Sequence, residues 1–175
     1  WVQAAVLARF TGNEPMRDRC RERYREVLLP GQMAADGSFP LELARTKPYS
    51  YSIFVLDNMV TLCQVLSTPE NRLWDYELED GRSIRRGLAF LVPYMAHKDR
   101  WPYRRDITHF DAQPGRTSLL LFAALALGRP DYLELWERLD PDPADEEVRR
   151  NAAIRQPLLW LTDDEMQRLK QWGVW

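Results

Sequence analysis

Cysteine and histidine are scarce in this chain, and their scarcity disfavours a disulfide framework and a metal site. Cys20 and Cys63 are the only cysteines among 175 residues, and both fall on apolar faces of predicted helices. Two distant cysteines make no disulfide framework, so we expect two small core residues, with a disulfide as the open alternative. His97 and His109 have no histidine partner three or four residues away, which argues against a zinc site built within this chain. We therefore expect no metal and no cofactor.

The chain also lacks a basic excess and a long apolar run. Lys plus Arg number 24 and Asp plus Glu number 26, so the formal net charge is −2. This balance disfavours a dedicated nucleic-acid binder but leaves room for a local basic site for an anionic small ligand or glycan. The longest apolar run, Leu119 to Leu127, is shorter than the ~20 residues of a membrane span. We therefore expect no nucleic-acid partner and no membrane partner.

Helical periodicity runs through the sequence, and strand alternation never extends beyond a few residues. Apolar spacing predicts a first helix that ends at Thr11-Gly12, and Asn13 with Pro15 predicts the start of a second. The core stripe predicted for this second helix is Met16, Cys20, Tyr24, Val27 and Leu28. Later helices are predicted from about residue 53 to just before Pro69, and around residues 84–95, 117–127, 132–139, 145–153 and 163–172.

The predicted fold class is all-α. No fixed-period repeat is visible, which disfavours the standard solenoids. Residues 117–127 are apolar on every side, as expected of an inner helix in a layered helical fold. Antiparallel helical hairpins that form part of an incomplete (α/α) barrel or toroid fit these patterns best.

The segment from Pro30 to Ser50 is predicted to be an ordered loop, because prolines and glycines interrupt it. Loops of this length in compact domains are often functional. Arg45 and Lys47 suit a carboxylate ligand, the arginine as a bidentate fork and the lysine as a point charge. The alternative for Arg45 is a plain ion pair with Glu42, three residues earlier.

Several other side chains in and near this loop are candidates for substrate contact. Tyr49 and Tyr51 suit proton transfer or stacking on a sugar face. Gln32 offers an amide at the start of the loop. Trp101 and Tyr103 lie in a second irregular stretch, where they either line a substrate cleft or pack against the core.

The run DGSFPLELARTKPYSYSIF, residues 36–54, resembles the signature of the alginate lyase superfamily. It is most similar to the glucuronan lyase branch, in which an "ELART" segment precedes a "YSxF" segment. Further similarity at residues 73–74, 80–83, 98–103 and 155–158 extends the resemblance over nearly the whole chain. By motif position, Arg45 matches the family arginine and Tyr51 matches the catalytic tyrosine, whereas Tyr49 lies outside the matched element.

The resemblance implies a polysaccharide lyase that cleaves 1,4-linked polyuronates, such as glucuronan or polymannuronate, by β-elimination. In such enzymes an Asn-His pair and an arginine engage the uronate carboxylate, and a tyrosine removes the C5 proton and protonates the departing O4. Cationic groups aimed at the developing enolate stabilise the transition state more than the ground state. A nearby arginine also favours the phenolate form of the tyrosine.

The family's Asn-Asn-His-Gly element does not occur in this sequence, and neither His97 nor His109 replaces it. We therefore expect residues 1–175 to be the C-terminal portion of a single lyase catalytic domain, with the Asn-His supplied by a missing N-terminal portion and little activity in this piece alone. The family resemblance implies a secreted or periplasmic protein, because polymeric uronates are extracellular. The alternatives are an (α/α)-barrel glycoside hydrolase that uses Asp36 and Glu42, or a glycan-binding helical module without catalysis.

Overall fold

The computed structural model describes residues 1–174, which form an all-helical protein as predicted. Within this range only isolated β-bridges occur, and none of the helices is long and apolar enough to cross a membrane. The α-helices are α1 (Val2–Phe10), α2 (Glu14–Arg23), α3 (Leu29–Gln32), α4 (Pro40–Leu43), α5 (Pro48–Leu66), α6 (Ile84–Ala96), α7 (Ser118–Leu127), α8 (Pro130–Arg138), α9 (Glu146–Arg150) and α10 (Asp163–Gln171).

The first helical pair forms as its capping residues predict. Gly12 follows α1 with a φ of 67°, a left-handed conformation that glycine adopts without steric cost. The Asn13 side chain then accepts a hydrogen bond from the backbone N–H of Met16 at 3.1 Å and caps α2. The chain thus turns back, and α2 packs against α1.

The prediction that Val27 lies in the core is wrong, because residues Tyr24–Leu28 form a π-helical turn. Such a turn bonds residue i to i+5 and shifts the register of the side chains that follow it. Cys20 and Tyr24 are buried as predicted, but beyond the turn Leu29 takes the core position and Val27 is 39% exposed.

The segment between Pro30 and Ser50 contains more helix than its prolines indicated. Pro40 and Pro48 each occupy the first position of a helix, α4 and α5, where a missing N–H costs no hydrogen bond. Tyr49 and Tyr51 therefore lie in the first turn of a long helix rather than in a loop. The prediction of a loop up to Ser50 is wrong for this reason.

Helix α5 is the centre of the molecule and packs against α1, α6 and α7. Every residue of α5 is buried except four, which form one stripe at positions i, i+3, i+4 and i+7: Tyr51, Phe54, Val55 and Asn58. Helix α7 is the apolar inner helix that the sequence predicted, with residues 118–125 all buried. The fold therefore leaves a single face of α5 in contact with solvent, and this face begins at Tyr51.

The remaining predicted helices form with small changes of boundary. All five core residues predicted for α6 are buried: Ile84, Leu88, Leu91, Val92 and Met95. Helix α10 begins with the predicted capping box of Thr162 and Glu165, whereas α9 is shorter than predicted and ends at Arg150. Cys20 and Cys63 are buried free thiols, so the disulfide alternative is wrong.

Candidate active site

The start of the 36–54 motif is a tight turn that packs against α6. Asp36 accepts a hydrogen bond from the backbone N–H of Ser38 at 2.9 Å, an arrangement typical of Asx turns. Gly37 has a φ of 89°, and a Cβ at this position would lie 2.3 Å from the carbonyl oxygen of Arg86. Only glycine fits here, and the fully buried Phe39 anchors the turn to the core.

Asp106, from a distant loop, caps the first turn of α5. Its Oδ1 accepts from the backbone N–H of Tyr49 at 2.8 Å and its Oδ2 from that of Ser50 at 2.9 Å. The Ser50 hydroxyl also donates to Asp106 Oδ2. These bonds satisfy N–H groups that a helix start leaves without partners, and a carboxylate there also complements the helix dipole. Asp106 therefore fixes the helical turn from which Tyr51 projects.

Arg45 and Tyr51, the two residues that the family signature singles out, are in contact. The guanidinium carbon of Arg45 lies 3.9 Å from the centre of the Tyr51 ring. Arg45 Nη1 also donates to Glu42 Oε2 at 3.0 Å, so the ion pair considered as the alternative exists beside the stack. The Arg45 side chain is 55% exposed and Tyr51 is half-buried, so both remain accessible to a ligand.

Tyr49, two residues before Tyr51, has a different environment. Its side chain is fully buried, and its hydroxyl donates to the backbone carbonyl of Tyr94 at 3.0 Å. Burial, reinforced by the charge of Asp106, raises the pKa of Tyr49 well above its ordinary value. A buried phenol with a raised pKa is unsuited to remove a proton from a substrate, and the predicted substrate contact finds no support at this position.

Lys47 lies between Tyr51 and the C-terminal part of the chain. Its ammonium nitrogen is 5.4 Å from the centre of the Tyr51 ring and forms an ion pair with Glu147 Oε1. Glu147 Oε2 lies 3.2 Å from His109 Nε2, and His109 Nδ1 lies 2.6 Å from Asp145 Oδ2. The hydrogen bond from Lys47 holds the pKa of Glu147 below its usual range, and the bond from His109 does the same for Asp145.

The other predicted substrate contacts, Trp101, Tyr103 and Gln32, differ in how far they are exposed. Trp101 is 9% exposed, and its indole N–H donates to the carbonyl of Arg104 at 3.2 Å. Tyr103 packs on Trp101 with ring centres 5.0 Å apart and keeps 39% of its surface exposed. Gln32 borders a groove lined by Phe54 and Asn58, and Asn58 is two turns or ~10 Å along α5 from Tyr51. Of these three, Tyr103 remains accessible, whereas Gln32 is only partly exposed and its amide oxygen is buried.

Asp36 and Glu42, the pair considered for a hydrolase, lack the environment of a general acid. The hydrogen bonds from Ser38 lower the pKa of Asp36, so this carboxyl is ionised at neutral pH. Glu42 is occupied by Arg45. A glycosidase acid needs a raised pKa to remain protonated, and Asp36 shows the opposite shift. Across residues 1–174, no cluster of three or more potential metal ligands is found.

Comparison with known proteins identifies the family to which this fold belongs. The sequence profile described as alginate lyase matches residues 1–101, which contain both Arg45 and Tyr51. The crystal structure of an alginate lyase from Bacteroides ovatus superimposes with a TM-score of 0.69 at 30% identity, over 87% of this chain and 40% of that chain. No curated protein sequence matches.

These matches place this helical fold among the folds of polysaccharide lyases. More specifically, the chain belongs to the alginate lyase family. The resemblance predicted from the 36–54 motif is thereby confirmed, whereas the glucuronan branch stays a prediction. The chain spans 40% of the length of the matched Bacteroides structure.

Sequence reasoning missed three residues that hold the segment around Tyr51 through its neighbours: Asp106, His109 and Glu147. Each comes from beyond the 1–101 family match. Asp106 contacts Tyr49 across 57 residues and Glu147 contacts Lys47 across 100, whereas His109 joins the site through Glu147. The sequence offered one weak signal for these residues, an isolated histidine, His109, in an irregular stretch. In the structure, the φ of His109 is 64°, which is uncommon for a residue other than glycine and indicates a locally constrained backbone.

Proposed function

We propose that this chain carries Tyr51 and Arg45 of a lyase that cleaves 1,4-linked polyuronates by β-elimination. The observation that carries the proposal is the contact of the Arg45 guanidinium with the Tyr51 ring at 3.9 Å, on the accessible stripe of α5. Family membership favours lyase chemistry. The environment of Tyr49 favours Tyr51 as the residue that exchanges protons with the substrate.

In the proposed reaction, the Tyr51 phenolate takes the C5 proton of the uronate ring. The electrons of the C5–H bond form the C4–C5 double bond, and the C4–O4 bond breaks. The phenol of Tyr51 then returns its proton to O4, so the reaction needs no oxidant and no added water. Arg45 neutralises the charge that develops on the substrate carboxylate, a stabilisation that is strongest in the transition state. Lys47 adds a second positive charge beside Tyr51.

We also propose that residues outside this chain complete the carboxylate site. Support comes from the share of the matched Bacteroides lyase that this chain spans, 40%, and from the family's Asn-His element, which this sequence does not contain. The proposed substrates are glucuronan and polymannuronate, and the proposed location is secreted or periplasmic because such polymers are extracellular. Turnover by residues 1–175 alone would contradict the proposal of a shared site.

Unsaturated uronides absorb in the ultraviolet, so their formation from glucuronan and polymannuronate tests the proposal directly in the full-length protein. Replacing Tyr51 by phenylalanine removes the proton carrier, and we expect turnover to fall by about 10²–10⁴-fold with little loss of binding. Tyr76→Phe is the matched control, because Tyr76 is also half-buried beneath an arginine, Arg25 at 5.3 Å. Unchanged turnover in Tyr51→Phe would refute the assignment, and binding without an unsaturated product would indicate a glycan-binding module.

A further inference from the structure

Four charged or titratable side chains form a connected network beside Tyr51. Lys47 precedes α5, His109 lies in the loop after α6, and Asp145 and Glu147 lie at the start of α9. Lys47 pairs with one oxygen of Glu147, and His109 contacts the other at 3.2 Å. The network therefore connects residues that are 100 positions apart in sequence to the ring of the proposed base.

The carboxylates of this network have defined orientations. Asp145 Oδ1 caps α9 by accepting from the backbone N–H groups of Glu147 at 2.9 Å and Val148 at 3.2 Å. Its other oxygen lies 2.6 Å from His109 Nδ1. His109 adopts the left-handed conformation that directs its ring between Asp145 and Glu147, and such conformations persist when the surroundings hold them. Glu147 is thus fixed through both its backbone and its side chain.

We infer that Glu147 is a positioning residue: it holds the Lys47 ammonium against Tyr51, and His109 with Asp145 holds Glu147 in turn. The inference rests on the proposed role of Tyr51. A lysine has a flexible four-carbon stem, so its charge acts at a defined place only when a partner restrains it. With Glu147 in place, the Lys47 ammonium stays 5.4 Å from the Tyr51 ring centre. A cation at that position stabilises the negative charge that develops in the transition state beside Tyr51.

The charges that face this network come from every element around it. Arg45 lies over the Tyr51 ring, and Arg150 Nη2 approaches Glu147 Oε2 at 3.9 Å from the same helix. His109 approaches the same oxygen of Glu147 as Arg150 does, and Lys47 pairs with the other oxygen. A mainly structural role is the competing explanation, since the Lys47–Glu147 pair also connects α9 to the start of α5. The two roles differ in what they change, because a structural tie alters stability and a positioning contact alters the rate of the chemical step.

A double-mutant cycle between Lys47 and Glu147, in the full-length protein, separates these roles. Glu147→Gln removes the charge with little change of shape, and Lys47→Met removes the cation from the other end of the pair. We expect each single variant to lower kcat by about tenfold while KM changes less than threefold. This pattern follows if the Lys47 charge is lost from, or no longer held at, its place beside Tyr51, because that affects the chemical step more than substrate binding. If Glu147 acts through Lys47, the double variant has the same kcat as Lys47→Met alone. Glu146→Gln is the control, because Glu146 is the exposed neighbour in the same helical turn.

Each outcome of this experiment supports or overturns the inference. Additive losses of kcat, or variants that lower only the melting temperature, would overturn it. If Glu147→Gln lowers the folded fraction, kcat is expressed per folded molecule. Equal values for Lys47→Met and the double variant then support the inference in the same way. Tyr51→Phe measured alongside distinguishes the two proposals. An inactive Tyr51→Phe with a fully active Glu147→Gln refutes the positioning role alone, whereas an active Tyr51→Phe refutes the proposed function.

Discussion

The guanidinium of Arg45 is held on two sides, by the ring of Tyr51 at 3.9 Å and by the carboxylate of Glu42 at 3.0 Å. The ring restrains the plane of the guanidinium, and the carboxylate restrains its rotation about the side chain. The backbone carbonyl of Arg45 also accepts a hydrogen bond from Arg104. Arg45 is therefore oriented before any substrate arrives, which reduces the entropy lost on binding.

Replacing Arg45 by lysine tests whether this planar orientation matters. Lysine keeps the charge but can neither stack as a plane nor form a bidentate fork. We expect kcat/KM for polyuronate cleavage to fall by about 10-fold or more, while the free energy of unfolding changes by less than about 0.5 kcal/mol because the side chain is exposed. Steady-state absorbance assays and urea unfolding measure the two quantities.

Arg105 provides a matched control for Arg45. It is also exposed, pairs with Asp111 and lies over an aromatic ring, with its guanidinium carbon 4.6 Å from the centre of Phe110. We expect Arg105→Lys to leave kcat/KM unchanged. Equal losses in the two variants would show that the surface charge in general matters, rather than the contact with Tyr51.

The buried face of a helix was predictable where the spacing of apolar residues within that helix is regular. The apolar spacing of α6 identified five core residues, because its side chains follow a regular 3.6-residue period. The same reasoning failed at Val27, since a π-helical turn shifts the register and the pattern of apolar residues does not reveal it. It also failed at Pro48, which begins α5 although proline more often signals interruption of a helix.

Only the part of the site that comes from one short sequence motif was predictable. Arg45 and Tyr51 lie six residues apart in one recognisable motif, so the sequence indicated both of them. Asp106 and Glu147 approach through tertiary packing, 57 and 100 residues away from their respective partners Tyr49 and Lys47. Ordinary acidic residues in irregular or short helical segments carry no sequence signal of such pairing.

Asp106 offers a test of how the start of α5 is held. Asp106→Ala leaves the backbone N–H groups of Tyr49 and Ser50 buried without a partner. We expect a loss of about 1–3 kcal/mol in the free energy of unfolding, since both a helix cap and hydrogen bonds to a charged group are removed. Urea denaturation of the full-length protein measures this loss. Asp111→Ala is the control, because Asp111 is 86% exposed and its ion pair with Arg105 lies at the surface.

A loss below about 0.5 kcal/mol in Asp106→Ala would contradict the capping role. Where the variant stays folded, we expect turnover to fall as well, because the first turn of α5 carries Tyr51. Unchanged turnover in a destabilised variant would mean that the helix start keeps its geometry without the cap.

Asp57 gives the stability of this protein a specific dependence on pH. This carboxyl on α5 is buried and accepts from the Ser118 hydroxyl at 3.1 Å and from the backbone N–H of Ala153 at 3.0 Å. Burial raises the pKa of Asp57 to about 6, partly offset by these hydrogen bonds. Between pH 4 and 6 the folded state therefore binds more protons than the unfolded state, so the free energy of unfolding decreases as pH rises through this window. Above about pH 7 the destabilisation is complete and amounts to on the order of 3 kcal/mol.

The contribution of Asp57 is isolated by comparing the protein with Asp57→Asn, since all other titrating groups are common to both. We expect the stability difference, unvaried protein minus variant, to fall by on the order of 3 kcal/mol between pH 4 and 7 and to be constant above that. Urea unfolding at half-unit steps of pH measures this difference. A difference that is constant from pH 4 to 7 would mean that Asp57 is not protonated in the folded state. The sign of the pH dependence separates two cases. If hydrogen bonds stabilised the Asp57 carboxylate more than burial destabilises it, the stability difference would rise with pH instead of falling.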